Sequence, residues 1–268
     1  MTPQPTTGHA DDRVVTNDLQ SMDIRAANRF IEAEDRLGAL AKNFPAGDRE
    51  ALHQAPLFLL PHVVRRLLFL DAMYRQILPV HGVIMELGVR FGRDLAMFDA
   101  LRTVHEPLNY GRKIIGFDTF TGFPSVAEED GDYELVEVGG LHTGDDYDDY
   151  LRAVLAEREQ MAPYEHMRKF EIVKGDASVT VPTYLADNPH TIVALAYFDF
   201  DIYAPTRDCL QALRPHLTKG SILAFDELNC PDFPGETVAV REVLGLDTYA
   251  IQRLPGIGPG MPSYLVIE

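Results

Sequence analysis

The sequence predicts an α/β domain built on parallel strands, with helical segments ahead of it. Three observations carry that prediction. Five apolar runs, GVIMELG, KIIGFD, FEIVKGD, TIVALAYFDFD and GSILAFDE, each close on a carboxylate or a glycine. They are apolar without strict alternation, as strands covered on both faces are. Stretches able to form helix separate most of them, the pattern of a βαβ series.

The elements follow in order. Residues 1 to about 20 are rich in Pro, Thr and Asp without periodicity and read as a loose tail. From Met22 to Phe44 the apolar positions Ile24, Ala27, Phe30, Ile31, Leu37, Leu40 and Ala41 predict an amphipathic helix, ended by Pro45-Ala46-Gly47. A second helix is expected between Pro61 and Pro79, with Val64, Leu67, Leu68, Leu70, Ala72, Ile77 and Leu78 as its apolar set. Both precede any strand, so residues 21–80 are expected to form a helical cap over a core of residues 81–268. A helix is expected to begin near Arg93-Asp94, after the first strand. DTYAIQRL and PSYLVIE, joined by the Gly/Pro-rich PGIGPGMP, read as a closing hairpin. Residues 119–149 break the rhythm: EEDGDYELVEVGGLHTGDDYDD is too polar for a strand and too interrupted for a helix. It reads as a lid-like functional loop or, with comparable weight, as a solvated acidic surface.

Charge and composition exclude several classes. With 24 Lys+Arg against 41 Asp+Glu the net charge is −17, which argues against a phosphate-neutralising surface for nucleic acid. The longest apolar runs fall well short of the roughly 20 residues needed to span a bilayer, and the first residues lack the basic and apolar regions of a signal peptide. The only cysteines, Cys209 and Cys230, are too few for a disulfide framework and fit a reducing cytoplasm. A soluble cytoplasmic protein with small-molecule partners is expected.

The chemistry-bearing residues fall at strand ends, where ligands of open α/β sheets bind. Glu86-Leu87-Gly88-Val89-Arg90-Phe91-Gly92 places E-x-G-x-x-x-G at a strand-to-helix turn. Glycines let backbone approach a ligand, and the acid suits a hydroxyl or ammonium better than a pyrophosphate; an ordinary tight turn would look the same. Asp118 closes the second strand, the place of an acid that grips a ribose diol. Asp176, in Gly175-Asp176-Ala177-Ser178, is placed either to accept from an adenine amino group or to cap the helix that follows. Asp199 and Asp201 would share one side if the chain stays extended, and Asp226-Glu227 on the neighbouring strand could converge on them. Carboxylates so crowded repel and raise one another's pKa values. Mg²⁺, a hard cation with oxygen ligands, would resolve the conflict, as could Arg207 and Arg214 on the following helix; a set of caps and surface acids is the alternative. His142 lies within the acidic insert, where substrate contact is possible.

Taken together, Glu86–Gly92, the run GFDTFTGFP from Gly116 to Pro124, Asp199-Phe200-Asp201-Ile202-Tyr203 and Asp226-Glu227 resemble the macrocin O-methyltransferase-like family over roughly residues 60–268. The resemblance implies a Rossmann-like class I methyltransferase fold: a seven-stranded, mostly parallel sheet with a reversed last strand. It implies S-adenosylmethionine as methyl donor, for which Glu86, Gly88, Arg90, Gly92, Asp118, Thr119, Asp176, Ala177 and Asp199 are the candidate binding residues, and a sugar hydroxyl as acceptor. Tyr203 and, from its place in the acidic insert, His142 are the candidate substrate residues. It implies Mg²⁺ at Asp199, Asp226 and Glu227, Asp201 as general base, and a homo-oligomeric assembly. The chain departs from the family's pattern in having Asp-Glu in place of Asp-Asp and in its arginines. Arg90 comes one place early and Arg93 replaces a glycine, so either can meet the cofactor's carboxylate. Rival readings are a metal-dependent hydrolase, a catechol-type methyltransferase and a silent cofactor-binding scaffold.

Overall fold

The computed structural model describes residues 24–144, 146–255 and 262–268. The expected tail, Asp145 in the insert and residues 256–261 of the Gly/Pro-rich connection lie outside them. Contacts divide the chain into two compact units, residues 1–61 and 62–268. The first contains helices α1 (Ile24–Lys42) and α2 (Asp48–His53), followed by a 3₁₀ turn at Ala55–Phe58. On α1, Leu40 is 65% exposed, so the apolar stripe read from the sequence is not buried there within its own unit.

The second unit opens with α3 (Pro61–Gln76). The sequence places the end of the helical region at residue 80, whereas the division falls at Pro61, and α3 packs in the core unit. Its buried face is Phe69, Leu70, Met73 and Tyr74, each 0% exposed, and each such burial contributes roughly 1.5–3 kcal/mol. Val64, Leu68 and Leu78, expected on the apolar face, are exposed. Because Leu67-Leu68-Phe69-Leu70 is apolar all round, only tertiary packing decides which side turns inward.

The strands are β1 (Val83–Leu87), β2 (Ile114–Asp118), β3 (Phe170–Lys174), β4 (Val193–Phe198), β5 (Leu217–Phe225), β6 (Gln252–Arg253) and β7 (Ser263–Val266). They form a seven-stranded sheet of order β3-β2-β1-β4-β5-β7-β6. The first five neighbours pair parallel, while β7 runs antiparallel to β5 and β6 pairs antiparallel with β7. This is the class I methyltransferase sheet. Of DTYAIQRL only Gln252–Arg253 joins it.

Helices cover both faces. On one, α3, α4 (Arg93–His105) and α5 (Tyr147–Gln160) enclose a cluster that includes Phe69, Leu95, Phe98, Leu151, Leu155, Ile84 and Tyr197. On the other, α6 (Ala177–Asp187), α7 (Tyr203–Leu213) and α8 (Pro234–Val243) pack Val181, Leu185, Cys209, Leu213 and Val240 against Met85, Phe117 and Leu223. Helix α5 begins within residues 119–149 and was not legible, since Asp148 and Asp149 in its first turn continue the acidic run of the insert.

The rest of the insert is irregular apart from a 3₁₀ turn at Glu128–Asp130, and it is tied down. Phe120 and Phe123 are buried, the Phe123 N–H donates to the Gly140 carbonyl while its own carbonyl accepts from Gly139 N–H, and the buried Asp130 carboxylate accepts from the N–H groups of Ala127 and Tyr203. No helix among the described residues is long and apolar enough to cross a membrane.

Candidate active site

The strand order reverses between β1 and β4, which opens a crevice at their carboxyl ends. Gly88 lies there with φ +97°, and a Cβ on it would meet the Asp199 carbonyl oxygen at 2.0 Å. Only glycine therefore lets the β1 and β4 tips abut. Gly92, φ +75°, is the N-cap of α4, and a Cβ there would strike Leu151 at 2.4 Å.

Two of the strand-end acids hold backbone. Asp118 Oδ2 accepts from the N–H groups of Val89 and Arg90, both at 2.7 Å, and Oδ1 from Phe120 at 2.6 Å. A carboxylate offers about four acceptor positions, so roughly one is left, and a diol's two donors would have to displace a loop bond. The Thr119 hydroxyl likewise closes its own turn, donating to Gly122 and accepting from Thr121. Asp176 is the N-cap of α6, its Oδ1 accepting from Ser178 N–H at 2.9 Å, so the capping alternative is realised. Ala177 starts that helix and is buried.

The other acids gather with one another. Glu86 points to the same face of β1 as Ile84, into the interior beside α4. It is 2% exposed and its Oε2 has no hydrogen-bond partner. Burial, then Asp94 and Asp199, push its pKa well up. Burial and Asp226 do the same to Asp199, and burial and Glu227 to Asp201. Asp201 is not in extended chain: β4 ends at Phe198 and Asp201 has φ +65°, so strand alternation does not set its direction. A fifth acid, Glu236 in the first turn of α8, is 0% exposed, lies 3.3–3.4 Å from the N–H of Glu227, and is driven up by burial and by Glu227. Nothing in sequence marks a first-turn glutamate as buried. Burial and Glu227 push the Cys230 thiol up to about 12.

The cation among them is neither Arg207 nor Arg214. Arg207 pairs with Asp208 and lies over the Tyr203 ring. Arg66 of α3 fills that place: Nη2 is 2.6 Å from Asp226 Oδ2, while Nη1 is 3.3 Å from Asp94 and 3.8 Å from Asp199. The Tyr197 hydroxyl donates to the other Asp226 oxygen at 3.0 Å. Arg93 is spent on Asp94, with Nε 2.7 Å from Oδ1. Against the rise that burial would impose, Arg66 and Arg93 hold Asp94 below the usual carboxylate range. Burial, Arg93 and Arg66 push the half-buried His62 at the start of α3 downward. Arg90 stacks on Phe91, and its Nε is buried without a partner.

The expected Mg²⁺ site is not formed in this arrangement. Both Asp226 oxygens already have partners, one of them a cation. Among the described residues no group of three or more His, Cys, Asp or Glu is disposed to hold a metal ion. On the substrate side, the Tyr203 hydroxyl donates to Glu242 of α8, and His142 is exposed on the insert.

Comparison with known proteins places this geometry. No protein-family model matches the chain, and no curated protein matches it. Among solved structures, a crystal structure of CalS11, described as a calicheamicin methyltransferase, is 46% identical, with 98% of this chain and 99% of that one covered and a TM-score of 0.87. An apo structure of CalS11, described as a TDP-rhamnose 3′-O-methyltransferase of calicheamicin biosynthesis, is also 46% identical, over 91% of this chain and 99% of that one, with a TM-score of 0.79. The O-methyltransferase NovP, 19% identical over 76% of this chain and 80% of its own, with a TM-score of 0.53, shares the fold. The order of the sheet and 46% identity to CalS11 over nearly the whole chain agree: the chain is an S-adenosylmethionine-dependent methyltransferase and belongs to the macrocin O-methyltransferase-like family of sugar O-methyltransferases.

Proposed function

We propose that this enzyme methylates a hydroxyl of a nucleotide-linked deoxysugar, with Asp201 as general base. The observation that carries the acceptor class is the 46% identity to CalS11, described as acting on TDP-rhamnose, across 91% of this chain. S-Adenosylmethionine, when bound, supplies a methyl group on a sulfonium, whose carbon–sulfur bond breaks as the new carbon–oxygen bond forms. Its amino acid part fits two orphaned groups: Glu86 Oε2 for the ammonium and Arg90 Nε for the carboxylate. Arg93 is committed to Asp94, which favours Arg90 of the two arginines.

Asp201 takes the proton from the acceptor oxygen. An ordinary carboxylate is a weak base for an alcohol, and a raised pKa brings it nearer the working pH, where such a base contributes about 10²–10⁴-fold. Holding oxygen and methyl carbon in line can supply up to ~7–11 kcal/mol of the barrier. Because the acids as they stand do not fit Mg²⁺, no step is routed through a metal ion. The helix α1, with Leu40 exposed, supports self-association, which sedimentation of the full chain would measure.

The direct test incubates the enzyme with S-adenosylmethionine and TDP-rhamnose and follows the mass increase of one methyl group. Methylated TDP-rhamnose is expected. Turnover confined to finished rhamnosides, or to catechols, would move the acceptor out of the nucleotide-sugar class.

A further inference from the structure

The cation lodged among the strand-end acids belongs to the chain itself. Arg66 shares the inward stripe of α3 with Leu70 and Met73, at spacings of four and seven residues, so the packing that buries the helix also aims the guanidinium. Only Nη2 is seated, on Asp226 at 2.6 Å, with Tyr197 under the guanidinium at 5.3 Å. Nη1 is buried without a hydrogen-bond partner, although Asp94 lies 3.3 Å from it. The surroundings hold more acid than the two guanidiniums offset: Glu86, Asp94, Asp199 and Asp226 face Arg66 and Arg93, and Glu86 Oε2 is itself unpartnered.

Resting on the methyltransferase reading above, we infer that Arg66 and a divalent cation exclude each other at Asp226, with Asp94 as the guanidinium's alternative seat. The acids have the oxygen chemistry of a hard cation, but a second cation on Asp226 meets a guanidinium in a buried setting where repulsion is little screened. Arginine cannot relieve this by losing its proton. It has to move, and the partly engaged Nη1 already lies beside Asp94. The resting protein is thereby a weak metal binder, and the position of α3 controls access to the acids.

The test titrates Mn²⁺ into the full-length protein without substrate, reading free Mn²⁺ by electron paramagnetic resonance. Arg66→Gln should tighten Mn²⁺ binding at least about tenfold, equivalent to ~1.4 kcal/mol. Asp94→Asn, which removes the alternative seat, should weaken it by about threefold or more, but less in the Arg66→Gln background, where no guanidinium needs that seat. Unchanged binding in Asp94→Asn alone overturns the inference, and serves as the check if Arg66→Gln does not fold. Adding Asp226→Asn to Arg66→Gln should abolish the gain. Unchanged or weaker binding in Arg66→Gln overturns the inference, as does a gain that survives Asp226→Asn. A parallel calorimetric titration with S-adenosylhomocysteine separates the two failures. Normal cofactor binding with Mn²⁺ affinity indifferent to Arg66 breaks the exclusion alone, whereas a wild-type chain that binds no S-adenosylhomocysteine breaks the reading beneath it.

Discussion

At the tips of β2 and β3 the carboxylates meet backbone N–H groups, while at the tips of β4 and β5 they crowd together around the Arg66 guanidinium. Asp118 accepts three N–H donors and Asp176 caps α6, so these acids serve as scaffold. Asp199 and Asp201 have their pKa values driven well up by burial and by neighbouring acids, which suits a proton acceptor. Residue type and strand-end position are the same in both regions; the neighbours divide the labour.

The widest separation should come from Asp201→Asn. It removes the proposed proton acceptor without touching the glycine turn, so kcat should fall at least ~10²-fold with S-adenosylhomocysteine affinity within about twofold of wild type. Steady-state kinetics beside calorimetry measures both, and unchanged turnover removes Asp201 as base. On the scaffold side, Asp118→Ala strands three backbone donors. Lost hydrogen bonds to a charged group should cost about 2–4 kcal/mol, or roughly 4–16 °C in Tm at ~2–4 °C per kcal/mol for a unit of this size. Affinity for S-adenosylhomocysteine should drop about tenfold as the loop at Val89 and Arg90 loosens. A variant that melts and binds as wild type would show that Asp118 does not hold the loop.

A pH series sharpens the contrast. Glu236 is raised in the folded state, so the unfolded chain releases its proton first as pH rises, and the native state loses stability between the ordinary carboxylate range and the raised value. Glu236→Gln removes that loss. Its Tm should therefore exceed that of wild type by a margin that grows with pH, by about 2 °C or more, and a constant margin would place Glu236 in the scaffold class. Catalysis runs the other way: it needs ionised Asp201, so kcat should climb with pH through a limb above the usual carboxylate range.

The two regions also differ in how much of them the sequence disclosed. The strand-end acids were legible because each apolar run ends abruptly on a carboxylate, and the parallel sheet followed from the same runs. What neutralises the acids was not. Arg66 lies 160 residues before its partner Asp226, inside a helix whose LLFL run hides the buried face. The positive φ of Asp201 defeated an argument from strand alternation. Helix α5 vanished into the acidic insert because Asp148 and Asp149 in its first turn look like more of the same loop. Local pattern reports where a chain turns polar, and long-range packing decides which polar groups meet.

Asp176 gives the smallest effect and the finest division. Its Oδ1 caps α6, which leaves Oδ2 able to accept from an adenine amino group, so the two roles are compatible. Asp176→Ala should cost about 1 kcal/mol through the lost cap. Asp176→Asn keeps an equally good cap, and Tm should return to within about 1 °C of wild type. The amide nevertheless presents a donor where the carboxylate presented an acceptor, so S-adenosylhomocysteine should still bind roughly five- to tenfold more weakly, a loss of about 1–1.4 kcal/mol. Asparagine restoring melting and affinity together would make Asp176 a cap alone and leave the adenine to other groups. Asparagine restoring only the first would show one carboxylate serving scaffold and ligand at once.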